Sequence, residues 1–142
     1  MNRFNKTASE LAVQAGVRGG TDITGFSLLG HAAEMAQASG VGLRLRYGDL
    51  PFVSGAHRYA EQFIFPGGAS DNRLFFGPQV RFDPHIDEAA QMLLFDPQTS
   101  GGLLLAVPPD RLEWMQAQAA AAGQPLWVVG EVMAGEGIEV LP

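Results

Sequence analysis

The chain has 142 residues and no cysteine, with one lysine and eight arginines against fifteen acidic residues, for a formal charge of −6. Disulfides, thiolate zinc sites and a cysteine nucleophile are thereby excluded within it, and it offers no basic stripe for a nucleic-acid backbone or an anionic membrane surface. A length of this order suits one domain, able to bury about 70% of the surface its unfolded form would expose, and with no apolar run near the roughly 20 residues of a spanning helix and no signal-peptide pattern, a soluble and by default cytoplasmic protein is expected.

In chain order, Asn5 is placed to cap a helix whose Ala8, Leu11, Ala12 and Ala15 share one face, with Gly16 as its left-handed stop. A polar, glycine-punctuated cluster follows, Thr21-Asp22-Ile23-Thr24-Gly25-Phe26. Leu28, Leu29, Ala32, Met35 and Ala36 then recur at helical spacing up to Gly40, after which Val41, Leu43, Leu45 and Tyr47 alternate with Gly42, Arg44 and Arg46 as a half-buried strand. Arg44 and Arg46 share one face there, as two exposed edge arginines or as partners of an anion.

Residues 49–83, rich in proline and glycine, read as mostly loop with one short helix over 54–61. Ile86, Ala89, Ala90, Leu93 and Leu94 define the inward face of a further helix, with Asp87 and Glu88 solvated at its start. A second polar cluster, Asp96-Pro97-Gln98-Thr99-Ser100-Gly101-Gly102, leads into the apolar run at 102–107, which predicts a strand covered on both faces and central in a sheet. Asp110 and Glu113 suggest a capping box for a helix carrying Leu112, Met115, Ala119 and Ala122 up to Gly123, and residues 126–132 and 138–141 close the chain as strands. Helices interleaved with strands in this way predict a sheet with helices on both faces.

Three segments carry a resemblance: TDITGFSLLGH at 21–31, PGGASDN at 66–72 and LFDPQTSGGLL at 94–104. Together, and in this order, they resemble motifs of the selenophosphate synthetases (selenide, water dikinases), within the wider superfamily related to aminoimidazole ribonucleotide synthetase. The resemblance implies a C-terminal domain of α+β class: three layers, helix, sheet, helix, with a mixed sheet of partly ferredoxin-like topology. The complete enzyme would use ATP and Mg²⁺ to convert selenide and water to selenophosphate, AMP and phosphate. Its catalytic cysteine or selenocysteine, the neighbouring lysine and several metal-binding aspartates would belong to an N-terminal half absent from this sequence, so no catalytic residue is expected within the 142 residues. This chain would then be a piece of a longer protein that is inactive alone. The N-terminal half would be its partner and would carry the main contact of a homodimer, and the piece by itself would be monomeric or weakly self-associating.

Asp22 becomes the expected metal ligand by this resemblance, since a carboxylate oxygen is what hard Mg²⁺ accepts. Thr21 and Thr24 would sit beside it, with Thr24 the candidate cap of the following helix. Thr99, Ser100, Gly101 and Gly102 would offer hydroxyls and backbone amides to a phosphate, although a loop leading into a strand lacks the dipole of a P-loop, and a tight turn explains the glycines equally well. Pro66, Gly67, Gly68 and Asn72 read as an ordinary turn or as part of the site. His31, His57 and His85 share no metal-ligand spacing, so His31 reads as a packed or solvent-facing imidazole. Trp114 and Trp127 read as core or interface aromatics. Ser27 stands where the family usually has glycine, and could either narrow the approach of the missing half or be neutral. Two alternatives stay open: a non-enzymatic domain of the same fold that binds an anion or a protein, and part of a related kinase with another small-molecule substrate.

Overall fold

The computed structural model describes residues 5–142. Helix α1, Lys6–Gln14, turns Leu11 and Ala12 onto α6, Pro109–Ala121, where Ala15, Met115 and Ala119 complete the smaller of two cores and Trp114 packs at its margin. Gly16 follows its helix in the left-handed region, as the sequence predicts, and Gly123 does the same after α6. The side-chain caps expected for α1 and α6 do not form. Asn5 has a helical backbone (φ −72°, ψ 0°) and makes no capping bond, because a capping side chain needs an extended residue at that position. Pro109 starts α6 two residues early, which puts Asp110 inside the first turn.

The strands form two sheets. β1, Gly19–Asp22, pairs antiparallel with β4, Leu103–Ala106. The other sheet has the order β3 (Val80–Phe82), β6 (Ile138–Leu141), β2 (Gly42–Arg46) and β5 (Gly130–Met133). β6 runs parallel to both neighbours while β2 and β5 are antiparallel, so the sheet is mixed and the class is α+β.

The apolar run ending at Val107 is therefore not the centre of a large sheet. It is one strand of a two-stranded ribbon, and its two apolar faces have separate causes: Leu104 enters the larger core, whereas Leu105 and Val107 pack on the α1/α6 core. Helix α2, Ser27–Ser39, touches β1 as well as β2 and β6, and α1 touches β4; with Leu104 in the core of α2 and Leu105 in that of α1 and α6, the ribbon is layered between helices. Leu29, Ala32, Ala33 and Ala36 of α2 meet Leu43, Leu45, Ile138 and Val140 in the larger core.

Three elements depart from the sequence-based expectation. β1 is a strand that Gly19-Gly20-Thr21-Asp22 does not predict; pairing to β4 overrides the poor strand propensity of these residues. Within the supposed loop at 49–83 lie α3 (Ala56–Ala60), which the sequence predicts, and α4 (Gly67–Phe76) and β3, which it does not. Pro66-Gly67-Gly68 opens α4 rather than making a turn, and α4 is held by burial of Ala69, Asn72 and Phe76. The strand predicted over 126–132 is shorter than expected, beginning only at Gly130, because Leu126 packs in the α1/α6 core and leaves Trp127 exposed. In α5, Glu88–Leu93, Asp87 is more than a solvated charge: its carboxylate accepts from Ala90 N–H at 2.8 Å and caps the helix.

Candidate functional site

The ladder between β1 and β4 continues past both strands and so joins the first and third motifs. Ile23 N–H donates to Gly102 O at 2.9 Å, Gly101 N–H to Ile23 O at 2.8 Å, and Gln98 N–H to Thr24 O at 3.0 Å. Gly101 has to be glycine for lack of room: a Cβ would come within 2.8 Å of Ile23 Cγ2. Gly102 has φ 89°, which favours glycine. The second motif enters through Asn72, which is buried and donates from Nδ2 to Gly25 O at 2.9 Å and Phe95 O at 3.0 Å. One carboxamide thus ties all three motifs together.

Ile23 points into the core, while Asp22 is exposed and its carboxylate has no hydrogen bond or ion pair among the described residues. Thr21, its neighbour in β1, faces the other way and donates from Oγ1 to Asp22 O. Thr24 does not cap α2. Its hydroxyl lies 3.0 Å from His31 Nε2, and the cap position of α2 belongs to Phe26, which makes no side-chain bond there. Thr99 and Ser100 are exposed with their hydroxyls unengaged among the described residues, whereas the Gly101 amide is already bonded to Ile23 and is not open to a ligand. Asp96 is half-buried beside Gln98, and burial pushes its carboxyl above the ordinary range, partly offset by the hydrogen bond from Gln98.

Several residues gain roles that sequence reasoning did not assign. Ser27 has φ 63° in the left-handed region, and its buried hydroxyl donates to Leu94 O at 2.8 Å. The backbone explains why the resemblance implies glycine here, and the buried, inward hydroxyl does not narrow an approach from outside. His31 is packed, as expected, but it is also bonded through Nδ1 to Glu34, 3.1 Å away; the spacing of three residues on a helix was the available signal. Arg44 and Arg46 do meet anions, yet these are internal: Glu139 and Glu131 for Arg44, and Asp49 for Arg46. His57 packs on Phe52 and His85 bonds Asp83.

The sequence matches the family described as AIR synthase related protein, C-terminal domain, over residues 1–141. The chain belongs to that family. Two curated relatives, both named selenide, water dikinase, come from Pelobacter propionicus (43% identical over 134 residues, 94% of this chain and 38% of that protein) and Paraburkholderia xenovorans (39% over 141 residues, 98% and 40%). The chain thus spans about two fifths of the length of these relatives. Among solved structures, the thiamine-monophosphate kinase of Stenotrophomonas maltophilia superposes with a TM-score of 0.59 at 15% identity, covering 87% of this chain and 31% of that one. The protein tt0281 of Thermus thermophilus gives 0.56 at 26%, over 87% and 32%. These likenesses accord with the AIR synthase C-terminal fold.

Among the described residues no group of three or more His, Asp or Glu side chains could hold a metal ion. A cation bound to this AIR synthase related domain through Asp22 would therefore need neutral oxygens, water, phosphate or another part of the protein to complete its shell. An exposed, unpartnered carboxylate at a strand end fits that limited part.

Proposed function

We propose that the chain is the C-terminal domain of an ATP-dependent selenide, water dikinase, contributing a metal ligand and one wall of the active site. The observation that carries this reading is the convergence of the three motifs: the Ile23 ladder and the Asn72 carboxamide gather the exposed Asp22 carboxylate and the Thr99 and Ser100 hydroxyls around one junction. The names of the relatives at about 40% identity support selenide as the substrate. Mg²⁺, when bound with ATP, would neutralise phosphate charge. Asp22 would hold it, and Thr99 and Ser100 would donate to phosphate oxygens from the facing loop.

With one lysine and no cysteine, the chain lacks most of what phosphoryl transfer to selenide requires, and that machinery is assigned to an N-terminal half. The test compares two proteins. The 142-residue chain alone should show no selenide-dependent ATP turnover. In the longer protein, Asp22→Asn should lower turnover by well over tenfold with little change in thermal melting, because the exposed carboxylate supports no fold contact. Near-native turnover in Asp22→Asn would remove Asp22 from the metal site.

A further inference from the structure

Thr24, His31 and Glu34 form a hydroxyl, imidazole and carboxylate chain beside the first motif. Thr24 Oγ1 lies 3.0 Å from His31 Nε2, and His31 Nδ1 lies 3.1 Å from a Glu34 carboxylate oxygen. The imidazole is 13% exposed, with the Phe26 ring tilted against it at 5.3 Å between centroids.

The partners of the two ring nitrogens decide where the proton sits. Glu34's carboxylate accepts only, so Nδ1 must carry the N–H. The backbone N–H of Phe26 donates only, and it is directed at Nε2 from 3.4 Å. The Phe26 contact puts the lone pair on Nε2, so the Thr24 hydroxyl donates to it. With its single proton given to His31, Thr24 Oγ1 has only lone pairs left to offer, as an acceptor for a cation and not as a donor to phosphate.

Asp22 is exposed, Ile23 is buried and held by ladder bonds on both its N–H and its C=O, and Thr24 is half-buried, an alternation that sets Asp22 and Thr24 on the side opposite to Ile23. We propose that His31 and Glu34 are positioning residues that fix the Thr24 hydroxyl as a second oxygen ligand, beside the Asp22 carboxylate, for a divalent cation. This deepens the reading above in one respect: it rests on a cation sitting at this loop and not on selenide being the substrate. Hard cations accept neutral oxygens beside one carboxylate and retain several waters, so the site within this chain is weak and open to further ligands.

The test is made on the ¹⁵N-labelled chain. Long-range ¹H–¹⁵N spectra should show His31 in the Nδ1–H tautomer with Nε2 unprotonated. MgCl₂ should move the amides of residues 23–25 in the wild type and in Thr24→Ser, with a several-fold weaker response in Thr24→Val, while sodium phosphate should leave them in place. An Nε2–H tautomer, a phosphate response without a Mg²⁺ response, or an undiminished Mg²⁺ response in Thr24→Val overturns the proposal. Selenide-dependent turnover of the longer protein is measured alongside: its absence with the Mg²⁺ response intact defeats the selenide reading and leaves this inference standing.

Discussion

Ser27 holds a left-handed backbone at a cost of about 1 kcal/mol relative to glycine, and its hydroxyl bond to Leu94 O returns a similar amount. The two effects separate by substitution. Ser27→Ala keeps the backbone cost and loses the bond, and should destabilise the chain by about 1 to 2 kcal/mol. Ser27→Gly loses both, and should fall within about 1 kcal/mol of the wild type, since Leu94 O still receives Leu29 N–H at 3.2 Å. Denaturant melts of the three proteins provide the check; equal losses in the alanine and glycine variants would mean that the left-handed backbone is not what selects the residue. The departure from the family's glycine was visible in the sequence. Its cause was not, because φ belongs to the folded backbone and no neighbouring residue announces it.

At the scale of elements, the open face of the four-stranded sheet carries one row of alternating charge. Arg81 of β3, Glu139 of β6, Arg44 of β2 and Glu131 of β5 stand in register, and Glu139 receives Arg44 Nε and Arg81 Nη2 at 2.7 Å each. The bond from Arg44, and then that from Arg81, holds the Glu139 carboxyl below the ordinary glutamate range. A carboxyl depressed in the folded state stabilises it above the unfolded pKa, about 4.3, and that contribution is lost as pH falls through the folded value. Glu139→Gln should therefore melt lower than the wild type at pH 7, with the gap closing on acidification below about pH 4. A gap independent of pH, measured by thermal melts across that range, would point to shape and not charge.

Elements with strong apolar period were legible: α1, α2, α6, β2 and β6 lie close to where the sequence places them. Those fixed by distant partners were not. β1 exists because β4 faces it across more than eighty residues, and α4 because Ala69, Asn72 and Phe76 find the larger core; its opening Pro-Gly-Gly is indistinguishable locally from a turn. The candidate site was legible in its membership, through the three motifs, but not in its wiring. Asn72 looks like a turn residue until the carbonyls of Gly25 and Phe95 are brought to it, and Thr24 looks like a cap until His31 is seen beneath it.

For the whole molecule, apolar surface gathers beside the motifs. Leu74 and Phe75 on α4 are 82% and 72% exposed, and rings lead from Phe75 through Phe76 to the half-exposed Phe26 of the first motif. Patches of this kind mark surfaces that meet another body. If that body is the N-terminal half of the same enzyme, the chain alone should self-associate weakly, with a sedimentation coefficient that rises with concentration and returns to the monomer value on dilution. A tight dimer that persists on dilution would refute the view of an incomplete module and favour an independent interaction domain.

Proteins are made from the first residue onward, and among the described strands β6 is made last. It nonetheless stands between β3 and β2, with both of its edges paired. The four-stranded sheet therefore cannot close until residue 141 has been synthesised, whereas the β1–β4 ribbon needs nothing beyond residue 106. On a growing chain the motif-bearing ribbon has its pairing partners early, while β2 waits for both of its strand neighbours, β5 and β6. The order of birth thus runs opposite to the order of support: the loops that carry function can take shape first, and the sheet beneath them is completed only by the final strand.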